Sequence, residues 1–304
     1  MSLTADISLP MRVGARTVLT LRRRLVRRRL SLGEALARTA PRLPALGASD
    51  DGYMITGLPA EWLPRITESA PGLRPFVRQR YRRSYARLDG GFEDYVAKFS
   101  AKGRSTLKRK LRKLAERSGG ALDVRSYRSD ADMAVFHPLA RAVSQKSYQE
   151  RLLGAGLPDG DEALAEMRAL ARAGQARGWL LFVDEEPVSY LYTPAEGETL
   201  IYAYLGYDPG FADFSPGTVL QFEAMRELMG EGMFRLFDFT EGDGDHKRRF
   251  ATGGIDCVDV LLLRATPRNL IAGWCLNGFD RAVALAKAAA LKLGGGALVR
   301  RLRR

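Results

Sequence analysis

The chain has 304 residues, 46% of them hydrophobic and 27% charged, a balance that suits a globular fold and excludes wholesale disorder. Its two cysteines, Cys257 and Cys275, and two histidines, His137 and His246, cannot build a disulfide scaffold or, by themselves, a zinc site. No apolar run reaches the roughly eighteen residues that span a bilayer, and the N-terminus lacks the apolar block and small-residue cleavage site of a secretory signal.

The net charge of +13 is concentrated in three blocks. Residues 1–45 hold ten Arg against Asp6 and Glu34, residues 74–117 hold fifteen Lys/Arg against four acids, and the last eight residues hold four Arg. Blocks of this kind contact the phosphates of nucleic acid, anionic lipid or a phosphorylated ligand, or else they are solvated faces. The expected location is cytoplasmic, peripheral at the inner membrane face, with the basic ends on an anionic membrane surface.

In chain order, TLRRRLVRRRL (20–30) reads as a disordered arm or as a helix lying on anionic lipid. Glycines and prolines punctuate 50–95 into short strands and turns. From Tyr95 to about Arg117, Phe99, Leu107, Leu111 and Leu114 fall near helical spacing, with Lys and Arg on the other faces, and Gly119-Gly120 stops the helix. ALDVRSY (121–127) predicts a strand. Ser129-Asp130 predicts a helix N-cap, with the helix running to about Leu153 and kinked at Pro138. A helix over 160–176 follows, then strands at 179–184, 188–194 and 198–207, a helix over 217–230, strands at 235–241 and 257–264, and a C-terminal helix over 267–293. Three antiparallel strands followed by a strand–helix–strand crossover predict a mixed sheet.

The most informative stretch is LGYDPGFADFSPGTVLQFEAMREL (205–228). A strand ends at Tyr207, a loop follows, and Ser215, Pro216 and Gly217 open a helix. The amides of Gly217, Thr218 and Val219, at the positive end of the helix dipole, form an anion site of the phosphate-binding type, although capping alone also explains Ser-Pro-Gly. Tyr202, Tyr204 and Tyr207 lie on the preceding strand. Period two puts Tyr202 and Tyr204 on one face and Leu205 and Tyr207 on the other, a pattern that also suits ordinary strand packing. Asp238 sits in an apolar strand, where it needs a partner such as Lys247, Arg248 or Arg249. Alternatively, Asp238 or Asp243 holds an acceptor. Glu223 reads as a surface residue, His137 as a packing residue, and Lys146-Ser147-Tyr148-Gln149 as a weak substrate-contact candidate.

Three segments carry a family resemblance. KFSAKGRSTLKRKLRKLAE (98–116), SPGTVL (215–220) and FDFTEGDGDHKRRF (237–250) resemble the basic helix, cofactor loop and F-D-F-x-x-G-D-x-x-Y-K-x-x-F motif of the CelD/BcsL-like branch of the GNAT acyltransferase superfamily, which is related to FemAB. The likeness covers about residues 50–265. His246 stands where Tyr is commoner, and the usual Q/R-x-x-G-x-G/A signature is replaced by Asp213-Phe214-Ser215-Pro216-Gly217-Thr218.

The resemblance implies an α/β fold of the α+β type, a GNAT fold with a mixed, mostly antiparallel central sheet, preceded by a smaller, degenerate GNAT-like half. It divides the chain into a basic arm (1–45), that half with its basic helix (46–118), an acyl-CoA-binding GNAT domain (119–265), and a C-terminal helix with a basic tail (266–304). It implies acetyl-CoA as co-substrate, no metal, and an amino-sugar or polysaccharide-precursor acceptor. The cofactor would lie on Leu205, Gly206, Tyr207, Ser215, Pro216, Gly217, Thr218 and Val219, with Tyr204, Asp238, Asp243 and Lys247 as catalytic candidates. Two other readings stay open: a FemAB-like transferase taking its acyl group from aminoacyl-tRNA, and a non-catalytic nucleic-acid- or lipid-binding protein on a degenerate acyltransferase fold. Nucleic acid is the less favoured partner.

Overall fold

A computed structural model of the protein describes residues 4–13, 16–37, 40–147, 150, 156–242 and 244–292. The chain forms two compact units, one of residues 1–83 with 255–304 and one of residues 84–254. The divisions fall at 83/84 and 254/255, where the sequence expects boundaries near 45, 118 and 265.

In the first unit, strands β1 (Thr4–Val13) and β2 (Arg16–Arg29) form an antiparallel hairpin. This corrects the arm-or-helix reading of the N-terminus. Ile7, Leu9, Met11 and Leu25 are buried at the alternating positions of a strand pair. The next inward position of β2 is Arg23, which is buried and donates to Asn269 Oδ1 and the Arg268 carbonyl, both at 2.9 Å. An arginine in a core slot hides the period of two and leaves Leu21 and Leu25 at helix-like spacing. β2 pairs in parallel with β3 (Gly52–Pro59), which pairs antiparallel with β11 (Gly253–Arg264). The short helices α1 (Leu32–Leu36) and α2 (Leu63–Glu68) belong to this unit. So does α9 (Pro267–Lys292), whose Leu270, Leu276 and Phe279 pack against Ile7, Leu9, Met11 and Leu263.

The second unit is built on a mixed sheet. The end of β4 (Leu73–Arg87) pairs antiparallel with β10 (Leu236–Asp238), and β10 pairs in parallel with β8 (Thr199–Ile201). β8, β7 (Glu186–Glu196), β6 (Ala176–Val183) and β5 (Asp123–Tyr127) continue antiparallel, and β9 (Tyr204–Tyr207) pairs with β7. On one face lie α3 (Phe92–Ala97), the basic α4 (Ala101–Arg117) and α7 (Pro216–Glu231), around a core of Leu107, Leu114, Leu191, Val219, Leu220, Phe222 and Phe237. On the other lie α5 (Asp130–Lys146) and α6 (Asp161–Arg172), around Met133, Phe136, Val143, Leu180, Tyr190 and Tyr192. α5 starts on the Ser129 capping box, runs through Pro138 and ends at Lys146, short of the expected 153. A last short helix, α8, spans Asp245–Phe250.

Candidate active site

The expected strand over 198–207 is broken in two, and the break makes the site. β8 is held on both edges: Ala195 and Glu196 of β7 pair with Leu200 and Thr199, while Thr199, Leu200 and Ile201 pair with Leu236, Phe237 and Asp238 of β10. The Tyr202 amide donates to the Asp238 carbonyl at 2.9 Å, the last bond between these two strands. Beyond it β9 stays with β7, through Tyr204–Tyr192 to Tyr207–Ser189, while the β10 chain turns off at Thr240, which is left-handed at φ 61°. Two neighbouring strands therefore part, leaving β9 with one open edge among the described residues.

Register fixes which groups face that edge. The Asp208 amide donates to the Val188 carbonyl at 2.9 Å. In an antiparallel pair alternate residues point at the partner, so Asp208, Gly206 and Tyr204 address β7 while the amides of Leu205 and Tyr207 address the opening. The side chains of Leu205 and Tyr207 lie on the α7 face: a Cβ at Gly217 would stand 2.9 Å from Leu205 Cδ2 and 3.6 Å from Tyr207 Cδ1.

The tyrosines distribute otherwise than period two predicts. Tyr202 packs with Phe237 and Phe239, at centroid distances of 6.2 and 5.8 Å, on the α7 face. Tyr204 stacks on Tyr192 at 6.5 Å on the α5 face. The irregular Tyr202–Ala203 step between the two strands resets the alternation, so the two tyrosines face opposite ways.

Gly206 is buried because the ring of Tyr190 crosses it, and that ring's hydroxyl donates to Ser144 Oγ at 3.1 Å. Ser144 also binds Glu150 Oε2 at 2.5 Å and accepts from the Leu157 amide at 2.9 Å, while Arg141 holds Glu150 at 2.7 Å and Asp159 at 3.3 Å. The Arg141 guanidinium keeps the Glu150 carboxyl below its ordinary range. His137 is buried on the same helix, with Nε2 2.9 Å from the Pro158 carbonyl, in the packing role expected of it.

The loop after β9 is a 3-10 turn, Pro209–Phe214. Asp208 opens it by accepting from the Gly210 amide at 2.9 Å, and its carboxylate pairs with Lys146 at 3.1 Å. Burial pushes this carboxyl up, but the Gly210 amide and Lys146 leave it below its ordinary range. Lys113 of α4 donates to the Asp213 carbonyl at 3.3 Å and lies 4.8 Å over the Phe214 ring. Tyr148 and Gln149 lie outside the described residues.

Ser215 occupies the cap position of α7 with left-handed backbone (φ 54°, ψ 52°), and its hydroxyl makes no capping bond. Of the three amides expected to face an anion, those of Thr218 and Val219 donate to the Ser215 carbonyl, at 3.0 and 3.3 Å. Only the Gly217 amide lacks a backbone partner among the described residues, and Gly217 is itself buried against β9. One turn further on, Gln221 is 3% exposed with neither side-chain polar atom hydrogen-bonded. The sequence signal for it was an amide side chain set between Val219-Leu220 and Phe222. Glu223 is also more enclosed than a surface residue: its carboxylate is 16% exposed, pairs with Arg226 at 2.6 Å, and is pushed up by burial.

At the end of β10, Asp238 is 1% exposed and its Oδ1 accepts from the Thr240 amide at 2.8 Å. Lys247 donates to the carbonyls of Phe239, at 2.6 Å, and Glu241, and its ammonium lies 5.8 Å over the Tyr202 ring. Burial pulls the Lys247 pKa down, while Glu241 and Asp238 push it back up. The structure thus gathers Asp238, Lys247 and Tyr202 at the mouth of the parting strands and places Tyr204 on the other face. Asp243 lies outside the described residues. Among the described residues no group of His, Cys, Asp and Glu could hold a metal ion.

A mixed sheet whose adjacent strands part, with a glycine-opened helix packed on the freed strand, is the architecture of a GNAT-fold acyltransferase. Residues 101–248 match the family model described as an acetyltransferase (GNAT) domain, so the chain is an acyltransferase carrying that domain. Solved structures share the fold. FemX is 13% identical, with 74% of this chain and 75% of that one aligned at a TM-score of 0.53. The C-terminal domain of a protein assigned as a lysylphosphatidylglycerol synthetase, from Agrobacterium fabrum, is also 13% identical, with 81% and 74% aligned at 0.50. No curated protein matches the sequence.

Proposed function

We propose that this enzyme moves an acyl group, in the first place acetyl, from coenzyme A to an amine or hydroxyl of an envelope or exopolysaccharide precursor, as its resemblance to the CelD/BcsL-like branch implies. The observation that carries the donor half of this reading is the open edge of β9, with the Leu205 and Tyr207 amides beside Gly217. An extended amide-bearing arm can pair with such an edge as an added strand, and an amide aimed at the thioester oxygen stabilises the charge that develops there. The Gly217 amide and the dipole of α7 supply the positive end for the diphosphate. The acceptor atom attacks the thioester carbon, the C–S bond breaks, and the proton shed by the acceptor reaches the departing sulfur through the Tyr204 hydroxyl or a water. Asp238, Asp243 and Lys247 shape the acceptor end, Lys247 by tying down the turn that follows β10.

Isothermal calorimetry with acetyl-CoA tests the donor half. Binding is expected, with loss in Gly217→Trp and retention in Gly217→Ala, whose added carbon comes too close only to the flexible tip of Leu205 and meets the Tyr207 ring at ordinary contact distance. No binding to the wild-type protein, or equal binding to Gly217→Trp, removes it.

A second reading is favoured by one observation. α4 exposes Lys108, Arg109 and Arg112 along a shallow hollow, and the neighbouring Lys113 reaches the loop that precedes Gly217. A polyanionic donor such as aminoacyl-tRNA would suit that stripe. FemX and the synthetase domain share its fold. Salt-sensitive co-purification of tRNA, abolished by reversing the three charges, would select this reading over the first.

A further inference from the structure

The exposed apolar residues of the protein are not scattered. Among the described residues, eight large hydrophobics are exposed, and six of them belong to the first unit: Val13, Val18 and Leu19 at the turn end of the β1–β2 hairpin, and Ile271, Trp274 and Leu285 on α9. The three on α9 are more than half exposed, at 58%, 64% and 71%. At about 100° per residue, Ile271, Trp274, Cys275, Gly278, Ala282 and Leu285 fall within roughly a third of the helix circumference. All six are exposed. The opposite side of the helix is taken up by the core: Leu270, Leu276 and Phe279 are packed there, and a Cβ at Gly273 would stand 2.4 Å from the Phe76 ring.

Charge follows the same division. The first unit carries 25 Lys/Arg against 9 Asp/Glu, whereas the second carries 23 against 26. On α9, the exposed Arg268 and Arg281 lie at the two edges of the apolar sector. The helix's one acid, Asp280, lies on the far side and is bound by Arg78 at 2.8 Å. An outward apolar strip that carries a tryptophan on the side bordered by Arg281, with arginines on both borders and no carboxylate, is built for a surface that is apolar below and negative on top. No helix among the described residues is long and apolar enough to cross a membrane, so α9 would lie along the surface.

We propose that the outward face of α9, centred on Ile271 and Trp274, docks on an anionic lipid bilayer and lies in its interfacial plane. The proposal is independent of which acyl donor the second unit takes. It gives the first unit a task that sheet packing alone does not require, since burying Ile271 and Trp274 does nothing for the folded monomer.

The full-length protein supplies its own probe. Of its three tryptophans, Trp62 and Trp179 are buried and Trp274 is exposed, so a vesicle-induced change in emission reports on α9. Large vesicles of phosphatidylcholine alone, and of phosphatidylcholine with one third phosphatidylglycerol, are titrated and also sedimented with the protein. The expected result is binding to the phosphatidylglycerol vesicles with a blue shift, weak binding to phosphatidylcholine, and a partition coefficient at least about tenfold lower for Ile271→Asp/Trp274→Asp. Circular dichroism of that variant should match the wild type, because both positions face solvent; Trp274→Ala provides a milder check. Failure of the wild type to bind anionic vesicles overturns the proposal, as does undiminished binding of the double variant, which would assign the binding to the basic ends alone. Light scattering without lipid covers the remaining occupant: a concentration-dependent dimer dispersed by Trp274→Asp would show that this face holds a second copy of the chain, and would equally overturn it.

Discussion

Tyr190 and Gly206 are matched across the β7–β9 pair: a Cβ at 206 would stand 2.5 Å from Tyr190 Cε1 and 3.0 Å from its hydroxyl oxygen. The ring cannot yield freely, because it is 1% exposed and its hydroxyl is anchored on Ser144. Gly206→Ala is therefore expected to destabilise the protein by about 1–3 kcal/mol, the range for overpacking a filled core. Denaturant unfolding measures the loss. Adding Tyr190→Leu should recover part of it, since the clash is with the ring; a fully additive double variant would contradict that assignment.

Ser144 is the hub behind that ring. Its hydroxyl serves Tyr190, Glu150 and the Leu157 amide at once, and the residue is wholly buried. Ser144→Ala removes little volume but takes a hydrogen bond from each partner, at about 1–3 kcal/mol for each one left unsatisfied, Glu150 keeping its bonds to Arg141. A midpoint shift below about 1 kcal/mol in chemical denaturation would mean the partners find water instead.

Much of the second unit can be read from its apolar residues, because α5 and α6 carry an apolar face at helical spacing while β6 and β7, buried on both faces, stand out as short apolar runs between turns: α5, α6, α7 and β5 to β7 lie close to where the sequence predicts them. What escapes the sequence escapes for identifiable reasons. The β1–β2 hairpin is masked by Arg23, whose burial depends on Asn269 and the Arg268 carbonyl, far along the chain. The break between β8 and β9 is invisible because Tyr202 and Tyr204 keep the alternation of an unbroken strand, and only contact with Phe237 and Phe239 turns Tyr202 to the other side. The loop around Gly217 can be located from Ser-Pro-Gly, but the loss of the Thr218 and Val219 amides to the Ser215 carbonyl is a matter of backbone angles.

Arg141 and Glu150 give a pH-dependent prediction. The native carboxyl of Glu150 titrates below its ordinary 4.5, chiefly through its hydrogen bond to Arg141. A depressed carboxylate stabilises the fold above the unfolded value, and that stability is lost as pH falls through the native one. Arg141→Met should therefore cost about 1–3 kcal/mol at neutral pH, for a pair that is partly exposed, and progressively less as pH falls from 4.5, where the unfolded carboxyl takes up its proton, through the lower native value, where the folded one does. Urea melts of both proteins across this range read the difference, and a gap that widens in acid would reverse the expected sign.

Lys247 predicts a change on the alkaline side. Burial holds its native pKa below the ordinary 10.5. The unfolded chain then binds the extra proton between the two values, so this group's contribution to stability rises with pH up to about 10.5. Lys247→Met should abolish that rise and also release the Phe239 and Glu241 carbonyls, loosening the turn after β10. Thermal melts from pH 8 upward, with wild type and variant side by side, should show curves that diverge as pH increases; parallel curves would show that the ammonium is not held in a desolvated place.

The opposite facing of Tyr202 and Tyr204 separates two roles that a single tyrosine stripe would confound. Tyr202, partly buried as Tyr204 is, packs against Phe237 and Phe239 with the Lys247 ammonium over its ring, and burial raises its pKa, so it suits holding the strands apart better than giving up a proton. Tyr204 stacks on Tyr192 and remains partly exposed. If the departing sulfur takes its proton from Tyr204, Tyr204→Phe should lower kcat by about 10²-fold with little change in KM. Tyr202→Phe should leave kcat within a few-fold of wild type. Steady-state acyl transfer measured over pH 6–10 decides between them, and equal losses in both variants would move the proton donor to water.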